Sequence, residues 1–214
     1  MPVNDNPPLL IQFAKWPELG RVKTRLAAAL GDEGALQAHV RLTLAVLENL
    51  HATGWPLRLD WDRSMPSAPE EATPILARLQ ERGVEQGVQK GEDLGERMAL
   101  ALSDGVSSHG HAIIVGSDCP SVDAHYLNVA RLALQTSDAV VGPSDDGGYV
   151  LIGSRRDCKG VLQAIEWGTE RALEQTLSRL KGAGFSVRCL EPRWDVDEAA
   201  DWERFLSAGA GSTG

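Results

Sequence analysis

Short apolar runs alternate with longer amphipathic stretches along most of this chain, and that alternation constrains the fold more than any single motif. The runs at 9–14, 57–61, 84–88, 112–116, 139–142, 149–152 and 185–190 have the length and character of strands. Between them, apolar residues recur at helical spacing: Leu36, Val40, Leu44 and Leu47, then Leu94, Met98, Leu102 and Val106, then Leu173, Leu177 and Leu180. A helix between two strands returns the chain to the edge it started from, so successive strands pair in parallel. Ala112-Ile-Ile-Val-Gly is apolar on both faces, as a central strand covered on both sides must be. The pattern predicts an α/β fold, a single-domain mixed, mostly parallel sheet flanked by helices. The alternation breaks at 139–153, which reads strand, tight turn, strand, with Asp146-Gly147 as the turn signal. Either the sheet is mixed there or the turn is a functional loop.

With 214 residues the chain suits one domain, expected over 1–206, with 207–214 a flexible tail of small residues. The proline-rich 65–74 reads as a loop. Lys and Arg number 21 against 30 Asp and Glu, a net charge of -9 that repels a nucleic-acid backbone and disfavours nucleic-acid partners. No apolar run approaches the roughly 18 residues of a membrane helix, and the first residues lack the basic, then apolar, order of a signal peptide. Cys119, Cys158 and Cys189 are sparse and odd in number, which speaks for a reducing compartment and against a disulfide scaffold or structural zinc. A cytoplasmic protein without a membrane partner is expected; no pattern sets an oligomeric state.

Five segments could carry chemistry. After the first strand, Lys15, Arg21, Lys23 and Arg25 face a single acid, Glu18, in an otherwise acidic chain, with Gly20 as a turn former. A basic loop leading into a helix N-terminus suits phosphate, although it also suits a solvated turn. Asp118 follows the central strand, at the sheet edge where α/β proteins bind ligands. It can hold a hard cation such as magnesium or manganese, or cap the turn before Pro120. Asp145 and Asp146 adjoin Gly147 and Gly148, which permit close backbone approach to a ligand and equally make a plain hairpin turn. Asp195 and Asp197 lie on one side of an extended chain, roughly 7 Å apart, able to share an ion unless Asp197 only caps the last helix. Gly91 and Asp93 precede a helix, where Asp93 with Glu96 makes a capping box as readily as a nucleotide pocket. The five histidines show no metal spacing; His39 and His51 read as helix residues only.

In order, these segments resemble a bacterial family of glycosyltransferase-like proteins with the GT-A, nucleotide-diphospho-sugar transferase fold, the family found alongside radical-SAM proteins. The resemblance runs through nearly the whole chain: Phe13-Ala-Lys-x-Pro-x-x-Gly-x-Val-Lys-Thr-Arg-Leu, Gly91-x-Asp-Leu-Gly-x-Arg-Met, Gly116-Ser-Asp-Cys-Pro, Gly142-Pro-x-x-Asp-Gly-Gly-Tyr and Asp195-Val-Asp. One departure is Trp167-Gly-Thr where the family has Trp-Ser-Thr, which removes any hydroxyl contact at Gly168.

The resemblance implies that Lys15, Gly20, Lys23 and Arg25 meet the diphosphate. It places a divalent cation, magnesium or manganese, on Asp118 with Asp195 or Asp197. Asp146, Gly147 and Gly148 would face sugar or acceptor, and Gly91 and Asp93 the base or ribose. Asp118, Asp146 and Lys23 become the candidate catalytic residues. The expected function is metal-dependent glycosyl transfer from a nucleotide-diphospho-sugar donor to a small-molecule acceptor. The alternatives are nucleotidyl transfer with release of pyrophosphate, for which the basic loop is also suited, and non-catalytic binding of a nucleotide sugar.

Overall fold

The computed structural model describes residues 6–210. Seven strands form one sheet: β1 (Leu9–Ala14), β2 (Leu57–Trp61), β3 (Glu85–Val88), β4 (Ala112–Gly116), β5 (Ala139–Pro143), β6 (Tyr149–Ser154) and β7 (Val187–Cys189). Their order is β3-β2-β1-β4-β6-β5-β7. All neighbours pair in parallel except β6, which is antiparallel to both β4 and β5. The sheet is therefore mixed at the point where the alternation fails. A two-strand hairpin cannot connect parallel strands, so β6 has to run backwards.

Helices cover both faces: α1 (Thr24–His51), α2 (Thr73–Arg82), α3 (Leu94–His109), α4 (Ala124–Thr136), α5 (Ala172–Gly182) and α6 (Ala199–Ala210). Alternate residues of β1 point to opposite faces. Leu9 and Ile11 pack with Met98 and Leu102 of α3 and Leu180 of α5, while Leu10 packs with Val46 and Leu50 of α1 and Leu127 of α4. Such a strand is apolar throughout, and Leu10 and Ile11 are fully buried. Gln12 is the exception. Its buried amide donates to Thr43 O at 2.9 Å and Ser117 Oγ at 3.0 Å, tying α1 to the loop that carries Asp118.

The expected element boundaries shift in several places. Phe185 belongs to the core beside α5, its N–H bonded to Leu180 O, so β7 is shorter than the apolar run. The proline-rich loop ends in a 3-10 turn (Glu70–Ala72), and Pro74 then sits in the first turn of α2, where a missing N–H is harmless. Helix α6 extends to Ala210, four residues into the segment expected to be a flexible tail; 211–214, like 1–5, lie outside the described residues. Cys119 and Cys158 are buried and Cys189 exposed, all three as free thiols. No helix among the described residues is long and apolar enough to cross a membrane.

Candidate active site

Because β6 alone is reversed, the carboxyl ends of β1, β2, β4, β5 and β7 open on the edge that also holds the β5–β6 turn. Two depressions adjoin there. A cleft of about 620 Å³ is lined by Lys15, Arg21, Lys23, Arg25, Arg97 and Asp197, among others. A cavity of about 420 Å³ is lined by Met98, Tyr149, Trp167, Asp146 and Asp195. Phe13, Lys15, Leu94, Gly116 and Asp118 border both. Lys15 is exposed and has no ion-pair partner among the described residues, so it stands as a free cation at the seam.

Lys23 is not a solvated lysine. Its side chain is 7% exposed, and Nζ donates to Asp118 Oδ2 at 2.9 Å, Asp197 Oδ1 at 3.0 Å and Val196 O at 2.5 Å. The residue precedes α1 in the left-handed region, with φ 48 and ψ 45, a conformation that costs a non-glycine residue about 1–2 kcal/mol. A lysine at a helix N-terminus also opposes the macrodipole. The two carboxylates offset both penalties. Burial pulls the lysine pKa down, yet Asp118 and Asp197 outweigh it and hold the ammonium charged. Burial pushes Asp118 up, but the adjacent Lys23 holds its carboxyl below the usual range.

Val196 divides the acidic pair. Its N–H donates to Asp118 O at 2.9 Å and its side chain is fully buried, which sends Asp197 to the cleft and Asp195 to the cavity. Asp197 does not cap α6. Its oxygens accept from Lys23 and from Arg25, the latter at 3.2 Å, while Asp201 Oδ2 reaches back to the N–H groups of Asp197 and Glu198. Asp195 has no such cation. Burial, then the charges of Asp118, Asp146 and Asp197, push its pKa up to about 7.

That surplus of negative charge is the test of fit for a divalent cation. No group of three or more His, Cys, Asp or Glu among the described residues closes a coordination sphere. Magnesium-type ions commonly take only one or two protein carboxylates and complete their octahedron with water and phosphate oxygens. Asp118 and Asp195, both lining the cavity beside the cationic cleft, fit that role.

Asp146 has a structural role and a free oxygen. Its Oδ1 accepts from Gly148 N at 3.1 Å and from the Ser144 hydroxyl, which is the turn chemistry of the hairpin, and Oδ2 accepts no hydrogen bond from the described residues. Gly147 has φ +86, and a Cβ there would lie 2.4 Å from Glu170 O, so only glycine lets the turn meet the loop before α5. Gly168 on that loop has φ +75 with open space around it, which matches glycine in place of serine and leaves no hydroxyl.

Four expected residues stay out of the lining of both depressions, Gly147 of the hairpin turn among them. Asp93 caps α3, accepting from Glu96 N at 2.8 Å, while Glu96 returns to Glu92 N at 2.8 Å. Gly91, at φ +131, makes room for the backbone of Glu96 and Arg97, and Gly20, at φ +71, shapes its turn. Conversely, residues given no role from the sequence reach the cleft: Asp62 and Gln89 after β2 and β3, and Leu94 and Arg97 of the Gly91–Met98 motif, on α3. Leu94 carries the helical apolar repeat but is 41% exposed, because the first turn of α3 overhangs the seam. His39 is more than a helix residue. It is buried, its Nε2–H donates to Lys15 O at 3.0 Å, and burial lowers its pKa, so a neutral ring braces the Lys15 loop.

Solved structures share this architecture. A protein from Desulfovibrio desulfuricans G20, itself only provisionally assigned as a nucleotide-diphospho-sugar transferase, is 27% identical with a TM-score of 0.82, covering 96% of this chain and 88% of that one. A cytidylyltransferase from Leptospira borgpetersenii is 14% identical with a TM-score of 0.60, covering 97% and 87%. Rv0371C from Mycobacterium tuberculosis H37Rv, in complex with manganese, is 18% identical with a TM-score of 0.55, covering 94% and 99%. No curated protein matches the chain in sequence. Strand order and helix placement together define the class, a protein with the nucleotide-diphospho-sugar transferase-like fold. Within it, the chain belongs to the family described as uncharacterised protein conserved in bacteria, DUF2064, which matches residues 46–169.

Proposed function

We propose that the protein is a metal-dependent glycosyltransferase that moves a sugar from a nucleotide-diphospho-sugar to a small-molecule acceptor. One observation carries this reading: the site is divided by charge. Basic side chains outnumber acids in the cleft, where Asp62 and Asp197 stand beside them, carboxylates and apolar side chains line the cavity, and Asp118 and Lys15 stand between the two. A nucleotide sugar has the same polarity, with an anionic diphosphate at one end, a polyol at the other, and the scissile bond at the junction.

Lys15, Arg25 and Arg97 hold the diphosphate through charge-assisted hydrogen bonds. Lys23, locked between two carboxylates, orients Asp118 and Asp197 and does not itself reach for phosphate. A divalent cation held by Asp118 and Asp195 supplies neutralisation of the leaving nucleoside diphosphate when bound. Asp146 keeps one oxygen for its turn and offers the other to the hydroxyl of the acceptor as a general base. A protein with the same fold is known in complex with manganese, which supports a divalent metal as cofactor.

Nucleotidyl transfer asks more of this site, because its phosphorylated or carboxylated acceptor would enter a cavity whose only basic lining residue among those described is Lys15. The test is product identity. The protein is incubated with manganese and UDP- or GDP-sugars, and separately with each nucleoside triphosphate, a mixture of sugar 1-phosphates and sugar acids as acceptors, and pyrophosphatase. Glycosyl transfer, to water if no acceptor is added, releases nucleoside diphosphate. Phosphate from the second incubation would establish the nucleotidyl reaction instead, and thermal stabilisation without any product would make the protein a binding module.

A further inference from the structure

The cavity beside Asp118 is built from two unlike walls. Met98, Tyr149, Ile152 and Trp167 form the apolar one, and Asp118, Asp146 and Asp195 the acidic one. The apolar wall is rigid. Tyr149 and Trp167 meet edge to face with ring centroids 6.3 Å apart, and Gly95 of α3 packs so closely that a Cβ there would lie 2.9 Å from the Trp167 ring and 2.0 Å from Leu162 O. Lys15 lines both depressions at the seam, and on the reading above its charge is taken up by the diphosphate.

We infer that the glycosyl group seated in this cavity is a neutral sugar, and that uronic acids and other acidic sugars are excluded; this rests on the glycosyl-transfer reading above. Sugar hydroxyls donate to the three carboxylates, and each such bond is charge-assisted. The C–H face of a pyranose lies against Tyr149 and Trp167, whose rings bury area at little entropic cost. A carboxylate on the same sugar would lose water against Met98 and Ile152 and face Asp146 with no guanidinium to pair it. The cation that fits Asp118 and Asp195 offsets those two charges and leaves the charge of Asp146 standing.

The test uses donor pairs that differ only at C6, UDP-glucose against UDP-glucuronate and GDP-mannose against GDP-mannuronate. Affinities are measured by calorimetry with manganese and with EDTA, and bare UDP and GDP serve as controls. In the base series that binds, the neutral donor should bind at least tenfold more tightly than its acidic partner, and the acidic donor no more tightly than the bare diphosphate. Asp146→Asn should shrink the preference to about threefold, since it removes the remaining charge while keeping the turn. If a bare diphosphate binds but both members of its pair bind equally, or the acidic one more tightly, the inference falls and the nucleotide reading stands. If neither diphosphate nor any donor binds, the nucleotide reading falls and takes the inference with it.

Discussion

Replacing Lys23 by methionine keeps the aliphatic stem and removes only the ammonium that Asp118 and Asp197 share. Removing one member of a fully buried ion pair costs about 3–5 kcal/mol, because the partner charge is left uncompensated. Here the lysine side chain is 7% exposed, but the two aspartates keep 38% and 39% of their surface. Water therefore recovers part of their solvation, and roughly 2–3 kcal/mol is expected. For a chain of this size that lowers Tm by about 4–12 °C. The loss should depend on pH in a definite sense. Lys23 holds the folded-state pKa of Asp118 below its ordinary value, so this contribution is present above the unfolded-state pKa near 4 and disappears as pH falls through the folded-state value. Calorimetric melting of both proteins from pH 2 to 8 should show a wide gap at neutral pH that persists to about pH 4 and narrows below it. A gap under 1 °C at pH 7, or one of equal size at pH 2 and pH 7, would refute the idea that the lysine acts by neutralising this pair.

Asp195→Asn should stabilise the protein at pH 8. The folded-state pKa of about 7 lies above the unfolded value, so the stability that Asp195 contributes is present below about pH 4 and lost as pH rises through 7, at up to about 1.4 kcal/mol per unit. Melting curves across that range should show wild type falling relative to the variant. Asp146→Asn should keep Tm within about 1 °C, because an amide oxygen still accepts from Gly148 N, while turnover drops about a hundredfold or more; unchanged turnover would leave Asp146 as a turn residue only. Manganese should raise donor affinity in wild type, and Asp118→Asn should abolish that dependence without unfolding the protein. Equal donor affinity in manganese and in EDTA for wild type would remove the metal from the mechanism.

The strands were legible because burial on both faces leaves little freedom of composition: Ala112–Gly116 and Leu9–Ala14 appear at the bounds expected. The boundaries that moved are those where a residue had two possible uses. Phe185 is as apolar as a strand residue, but whether it joins β7 or caps the core under α5 depends on what lies across from it. Asp93, Asp146 and Asp197 each fit a cap or turn and also a ligand. Asp93 proves a cap, Asp197 an ion-pair partner, and Asp146 braces its turn through Oδ1 while also lining the cavity.

What the sequence determined by itself is local or periodic: seven strands, the helices between them, one reversed strand at the Asp-Gly turn, and a basic loop and acidic segments at strand ends. These follow from side-chain spacing and turn chemistry, which act over a few residues. The tertiary structure decided which charges meet. Lys23 and Asp197 are 174 positions apart, and only the packing of α6 and Val196 against α1 puts an ammonium between Asp118 and Asp197 and strands Asp195 without one. A pKa depends on distance and burial, neither of which is written in spacing along the chain. That is why the acidic segments could be found in the sequence, but not the fact that one is neutralised by Lys23 and another shares the cavity with Asp118 and Asp146.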